Sequence, residues 1–359
     1  MAGGAVRAES RQGMTVSLFT RTLSCCAVAL LTAACGASET VPKESAEASG
    51  EGRTTYPLTI ENCGMAQTFD AVPSRVVSLD QGSTELLLSL GLADHLVGTA
   101  SWTDPVRENL AEANAGVTRL ADNAPTYEAV MGTNPDFVTA SFGRHLKEQG
   151  GVATRDRFAE TGINSYLSPT DCEGAQSING GGKRSTPLTM DSLYQEITEM
   201  AAVFDVQSRG ERLVNELKQR VADATTATAD SNRTVAFWFA DTKTPYIGGG
   251  MGATNLLADI VGAQNPFRDI KDDWSPLTWT SLVERNPQVI VLGDLARNRF
   301  PGDRLEDKKQ FLATDPVTAV MPAVADQRYV ALHGAEMNPS IRIVDGVEKL
   351  AGWLAENRQ

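Results

Sequence analysis

Val130-Met-Gly-Thr-Asn-Pro-Asp-Phe-Val-Thr-Ala140 and Leu282-Val-Glu-Arg-Asn-Pro-Gln-Val-Ile-Val-Leu292 carry the same signals in the same order. In each, the end of an apolar-periodic helix meets Asn-Pro, a turn signal that stops a helix. A short apolar run follows, of the length and composition of a buried strand. The 359-residue chain holds one copy in each half, which predicts two similar lobes. Around the first copy, strands are expected at 75–79, 95–99, 137–140 and 164–167. Helices are expected from Ser83 or Thr84 to Leu90, stopped by Gly91, and over 127–133. Around the second copy, strands are expected at 234–239, 289–292 and 329–332, and helices at 255–261, 280–285 and 341–354. Strands alternating with helices imply an α/β fold with parallel sheets. Between the halves, Leu193, Ile197, Met200, Phe204, Leu213, Leu217 and Val221 keep helical spacing. They predict one long helical connector, with a break near 205–209. The resulting division is 56–188 for the first lobe, 189–230 for the connecting helix and 231–359 for the second lobe. Polar, Gly-rich 174–187 reads as a loop.

The N-terminus reads as a targeting segment. Arg21 precedes an apolar run from Leu23 to Leu31, and Thr32-Ala-Ala-Cys35 supplies small residues before a cysteine. Such a pattern is an export signal, too short to span a membrane as a mature helix. Leu31-Thr-Ala-Ala-Cys35 resembles the lipobox of bacterial lipoproteins, which implies a signal over 1–35 and lipid on Cys35. The alternative is a plain secretory signal with an incidental cysteine, and Met14 offers a second possible start. Residues 36–55, rich in Ser, Glu and Gly, read as a disordered tether. Cys25 and Cys26 leave with the signal. Cys63 and Cys172 remain as one pair for a non-reducing compartment, the alternative being two free buried thiols.

Several chemistries are disfavoured. A net charge of -13 argues against nucleic-acid binding, which needs clustered Lys and Arg. His95, His145 and His333 show no metal-ligand spacing. Neither a phosphate-binding P-loop nor a nucleophile elbow occurs. Gly248, Gly250 and Ala253 match a dinucleotide fingerprint, with Asp269 or Asp272 for the ribose. Asp241 to Pro245 separates these glycines from the preceding strand, which favours a flexible loop at the mouth of a cleft.

From Tyr56 onward the chain resembles the periplasmic binding proteins for ferric siderophores and cobalamin. The resemblance is carried by the segments starting at Thr55 (TYPLTIENCG), Phe69 (FDAVPSRVVSLDQGSTELLLSLGLADHLVGTA), Tyr127 (YEAVMGTNPDFVTA) and Pro245 (PYIGGGMGATNLLADIVGAQNPF). Those at Trp279 (WTSLVERNPQVIVL) and Asn338 (NPSIRIVDGVEKLAGWL) complete it. It implies two α/β lobes joined by one long rigid helix, with a ligand cleft between them. It also implies a non-enzymatic component of an ABC importer, held by lipid to the outer face of the cell membrane. The expected ligand is an iron(III)-siderophore, with no resident cofactor. Cobalamin or haem in the same fold is the alternative, and an exported α/β enzyme a more distant one. The family docks on its permease through one glutamate per lobe. Glu128 occupies the first position and Thr280 the second, with Glu284 one helical turn on.

A cleft for a bulky chelate should combine aromatic walls with a few polar anchors. Trp102, Phe142, Trp238, Tyr246 and Trp274 are the aromatic candidates, Trp238 and Tyr246 foremost because they precede the glycines. Arg144, beyond the 137–140 strand, and Arg342 are candidates for an anionic ligand. Asp80, Gln81 and Gly82 follow the first strand and are candidates for the cleft floor.

Overall fold

The computed structural model describes residues 52–172, 184–226, 228 and 231–357. The signal over 1–35, Cys35, most of the 36–55 tether and most of the 174–187 loop lie outside them. The chain begins its contacts before Tyr56. The backbone N–H of Thr54 donates to Asp205 Oδ1 at 2.7 Å and its hydroxyl to the Ala202 carbonyl at 2.6 Å.

The first lobe opens with a hairpin, β1 (Leu58–Asn62) and β2 (Met65–Phe69). Cys63 and Gly64 both have positive φ, the backbone a two-residue hairpin turn requires. The buried Asn62 amide bonds both ways with the Leu167 backbone, and the Cys63–Cys172 disulfide adds a covalent tie. Then come β3 (Val76–Ser78), α1 (Gln81–Ser89), β4 (Leu96–Ala100), α2 (Ala111–Asn114), β5 (Arg119–Ala121), α3 (Tyr127–Met131), β6 (Phe137–Ala140), α4 (Arg155–Glu160) and β7 (Asn164–Leu167). The five strands from β3 form a parallel sheet in the order β5-β4-β3-β6-β7. Strand order reverses at β3 and β6, so a crevice opens beyond their carboxyl ends.

The connector is two helices, α5 (Met190–Val203) and α6 (Gln207–Thr225); they part at 204–206, beside the break expected near 205–209, so the connector is not one continuous helix. Asp205, at φ 54°, takes the left-handed conformation that ends a helix. α5 stays with the first lobe: Tyr166 donates to Glu199 at 2.6 Å and Ser168 to Glu196 at 2.7 Å. α6 crosses between lobes. Near its start Arg209 donates to the Leu90 carbonyl, and near its end Arg220 pairs with Glu348 and Asp345.

The second lobe contains β8 (Val235–Trp238), β9 (Tyr246–Gly248), α7 (Ala253–Ile260), β10 (Trp274–Pro276), α8 (Trp279–Arg285), β11 (Val289–Asp294), α9 (Leu305–Thr314), α10 (Pro322–Ala325), β12 (Tyr329–His333) and α11 (Ile343–Glu356). Its sheet runs β10-β9-β8-β11-β12, with β8, β11 and β12 parallel and β9 and β10 an antiparallel edge. The quoted repeat is structural. Thr126 and Thr278 cap α3 and α8, Val130 and Leu282 are fully buried, and Asn134 and Asn286 both take positive φ before β6 and β11. One apolar core runs from Val76, Phe137 and Tyr166 through α5, α6 and α11 to Val235, Phe237 and Val291. Smaller cores fill the outer face of each lobe. No described helix is long and apolar enough to cross a membrane.

Candidate functional site

The carboxyl ends of the two sheets face one another across a cavity lined by residues of both lobes. From the first lobe, the turn after β3 supplies Asp80 and Gln81, that after β4 Ser101 and Trp102, and that after β6 Phe142 and Arg144. From the second, Phe239 follows β8, Arg297 and Arg299 follow β11, and Asn338 and Ser340 follow β12. Asp80 organises the floor. Buried, it accepts from the N–H of Ser83 at the start of α1 and from that of Ser141 beyond β6, at 3.0 and 2.7 Å. Gln81 Oε1 accepts from the N–H groups of Thr103 and Asp104, both at 3.1 Å, fixing the turn that carries Trp102.

One wall of the cleft is clasped shut. Asp104 accepts from the N–H groups of Gly334 and Ala335, at 3.3 and 2.8 Å, and the Ala296 N–H donates to the Thr103 carbonyl at 3.1 Å. These bonds join the two lobes directly.

Three guanidiniums converge on the cavity. Arg144 lies over the Phe142 ring at 4.8 Å, and Arg297 over the Phe239 ring at 5.2 Å. Burial pulls Arg144 below its ordinary value. Asp80 and Asp171 oppose that pull, while Arg297 and Arg299 reinforce it from the other lobe. Arg297 Nε and Nη2 are buried without a hydrogen-bond partner, the nearest carboxylate oxygen being that of Asp303 at 3.5 Å from Nε. A buried donor left unpaired is costly, so an acceptor that reached Arg297 Nη2 would be held there.

Of the residues singled out in the sequence, Gln81, Trp102, Phe142 and Arg144 are brought together here. Four others do not line the cavity. Trp238 is fully buried in the outer core, 4.6 Å from the Trp279 ring, its indole N–H donating to the Ala240 carbonyl at 3.0 Å. Strand alternation turns Trp238 away and its neighbour Phe239 inward. Trp274 sits behind Phe239, with rings 4.9 Å apart, and its N–H reaches Asn338 at 3.3 Å. Tyr246 is half-buried on β9, one strand in from the sheet edge. Arg342 points to the opposite side of the interlobe contact, where it donates to the Pro105 carbonyl at 3.1 Å and stands 3.5 Å from both Glu85 and Glu336.

The glycine stretch is neither a cleft loop nor a phosphate cradle. The Gly249 and Gly250 N–H groups are spent on the Asp273 and Ile270 carbonyls, and a Cβ at either would fall 2.0 Å from a backbone oxygen. Phe239, Arg297 and Arg299 are the residues sequence reasoning missed. The arginines stand just beyond a strand, the signal that had singled out Arg144. Glu128 and Glu284 are exposed on α3 and α8, with Thr280 exposed one turn before Glu284. Among the described residues no group of three His, Cys, Asp or Glu is placed to hold a metal ion.

Two α/β lobes with a polar and aromatic cleft at facing switch points define a cleft-type solute-binding protein. The chain belongs to the periplasmic binding protein family, whose model matches residues 76–335. It is 23% identical over 272 residues to YvrC, an uncharacterized ABC transporter substrate-binding lipoprotein of Bacillus subtilis, covering 74% of this chain and 77% of that one. It is 22% identical over 225 residues to a vitamin B12-binding protein of Photorhabdus laumondii, covering 62% and 71%. Its fold matches the crystal structure described as an ABC-type Fe3+-hydroxamate transport system from Saccharomonospora viridis. That match has a TM-score of 0.68 and 24% identity, and covers 83% of this chain and 99% of that one. The haem-binding protein RhuT of Roseiflexus matches with a TM-score of 0.61 at 19% identity, covering 80% and 99%.

Proposed function

We propose that the chain captures an anionic, already chelated iron(III), a ferric siderophore, and delivers it to the permease of an ABC importer. The convergence of Arg144, Arg297 and Arg299 from both lobes on a cavity walled by Trp102, Phe142 and Phe239 carries this reading. Three facing cations repel one another, and an anionic ligand relieves the repulsion while accepting from their donors. The chain as a whole carries a net charge of -13, and Asp80 and Asp122 also line the cavity, so the cluster of three arginines is a local feature. None of the residues lining the cavity is His, Tyr, Met or Cys, the side chains a haem iron takes as axial ligands. His145 lies beneath the floor, and burial holds it well below its ordinary value, hence neutral. A corrinoid of no net charge would bring no charge to offset the repulsion among the three arginines. No chemistry on the ligand is required, and the iron arrives with its own donors.

The same reading assigns permease docking to the exposed Glu128 and Glu284, lipid attachment to Cys35, and a working place on the outer face of the cell membrane. Trp102 fluorescence tests the ligand class. Titrated with a triply anionic ferric tris-catecholate, cyanocobalamin and haemin, the protein should show saturable quenching by the catecholate, largely lost in Trp102→Phe. Saturation by cobalamin or haem alone would move the substrate to the alternative, and response to none would remove the proposal.

A further inference from the structure

Loop 295–304, which presents Arg297 and Arg299, is organised by two buried charges that touch no part of the cavity. Asp303 is 1% exposed and Lys308 fully buried. Asp303 Oδ2 accepts from the backbone N–H of Arg299 at 2.7 Å and of Phe300 at 3.0 Å, and stands 3.5 Å from Arg297 Nε. The Asp303 carbonyl accepts from the Leu295 N–H at 3.0 Å, closing the loop on itself. Lys308, on α9, donates to the carbonyls of Gly302 and, at 3.2 Å, Asp303. Its ammonium lies 5.2 Å from the centre of the Trp238 ring, so the loop is anchored on the outer core. Gly302 has φ +77°, and a Cβ there would fall 2.7 Å from Thr242, so the turn has little room to reshape.

We propose that Asp303 and Lys308 are positioning residues that hold Arg297 and Arg299 toward the cavity before any ligand arrives. This rests on the cavity being the ligand site. The physical need is plain. Arg297 and Arg299 face Arg144, and a flexible loop would swing the cations apart until a ligand drew them back, at a cost in affinity. A fixed loop settles that cost during folding. Lys308 is an unusual choice for a buried site, where a methionine would fill the same space. Burial pushes its ammonium down to about 8, with Asp303 foremost among the charges that oppose the shift, so the cation is still the main form at neutral pH.

The test uses Lys308→Met, which keeps the stem over Trp238, and Asp303→Asn, which nearly keeps shape. Hydrogen exchange on the ligand-free protein is the first readout. In both variants the Arg299 and Phe300 amides should exchange roughly tenfold faster or more, with β11 and β12 unchanged. Affinity for the ferric tris-catecholate should fall roughly tenfold, and that for a neutral ferric tris-hydroxamate should hold. Unchanged exchange at Arg299 and Phe300, or acceleration across the whole lobe, overturns the proposal. If the wild type binds no ferric chelate yet the exchange result stands, the ligand assignment fails and the positioning role survives.

Discussion

Glu196 shows how one buried side chain reaches the whole molecule's pH response. Burial pushes its carboxyl up to about 8 against the pull of the Ser168 hydroxyl, and the charges of Asp80 and Glu199 add to the rise. A raised folded-state value means that the native protein binds this proton more tightly than the unfolded chain does. Its contribution is therefore full at acid pH and is lost as pH rises from about 4.5 through about 8. Denaturant unfolding at pH 5 and pH 8 should show stability falling in the wild type. In Glu196→Gln the fall should be smaller by on the order of 1–3 kcal/mol; parallel profiles would refute the assignment. The cleft residues were unevenly legible at this scale. Arg144 and Gln81 follow strands whose ends could be placed from the sequence. Phe239 was hidden because β8 is buried on both faces, so Val235-Ala-Phe-Trp-Phe239 shows no alternation to say which ring turns inward. Its place before the glycines drew attention to Trp238, and burial in the outer core is what keeps it from the ligand.

At the scale of elements, helical periodicity identified both halves of the connector but not the angle between them. The direction of the chain at Phe204 to Val206 depends on Asp205 taking positive φ and on its bond to Thr54, neither of which spacing can express. Close approach of α5 and α6 depends on Gly210, where an added Cβ would fall 2.5 Å from that of Ala201. Two tendencies compete in Gly210→Ala. A helix interior gains up to about 1 kcal/mol from alanine, while overpacking against a short, rigid side chain costs about 1–3 kcal/mol. The overlap should win, lowering stability by about 1 kcal/mol or more in denaturant unfolding, with Ala201→Gly in the same chain restoring it. A stabilised Gly210→Ala would mean the helices are free to part. The antiparallel edge strands β9 and β10 were also not legible. They are short, rich in Gly and Pro, and defined by pairing rather than by pattern.

The whole molecule combines a shared core with a charged cleft. The core passes through both lobes by way of α5, α6 and α11, and the Asp104 clasp closes one wall. Wide hinge opening would expose that core and break those bonds, so ligand entry is expected at the open mouth of the cleft with little change of shape. Two lobes and parallel sheets were legible from the Asn-Pro repeat, because each copy records a local signal. Which loops meet across the cleft was not, because that depends on how the lobes face each other. The central claim is that arginines from both lobes receive one anionic chelate. Its most direct test is the equilibrium affinity of the wild type, Arg144→Ala and Arg299→Ala for the ferric tris-catecholate. Each substitution should weaken binding roughly tenfold or more, the value of a charged hydrogen bond. Tight binding by the wild type that survives both substitutions would contradict it.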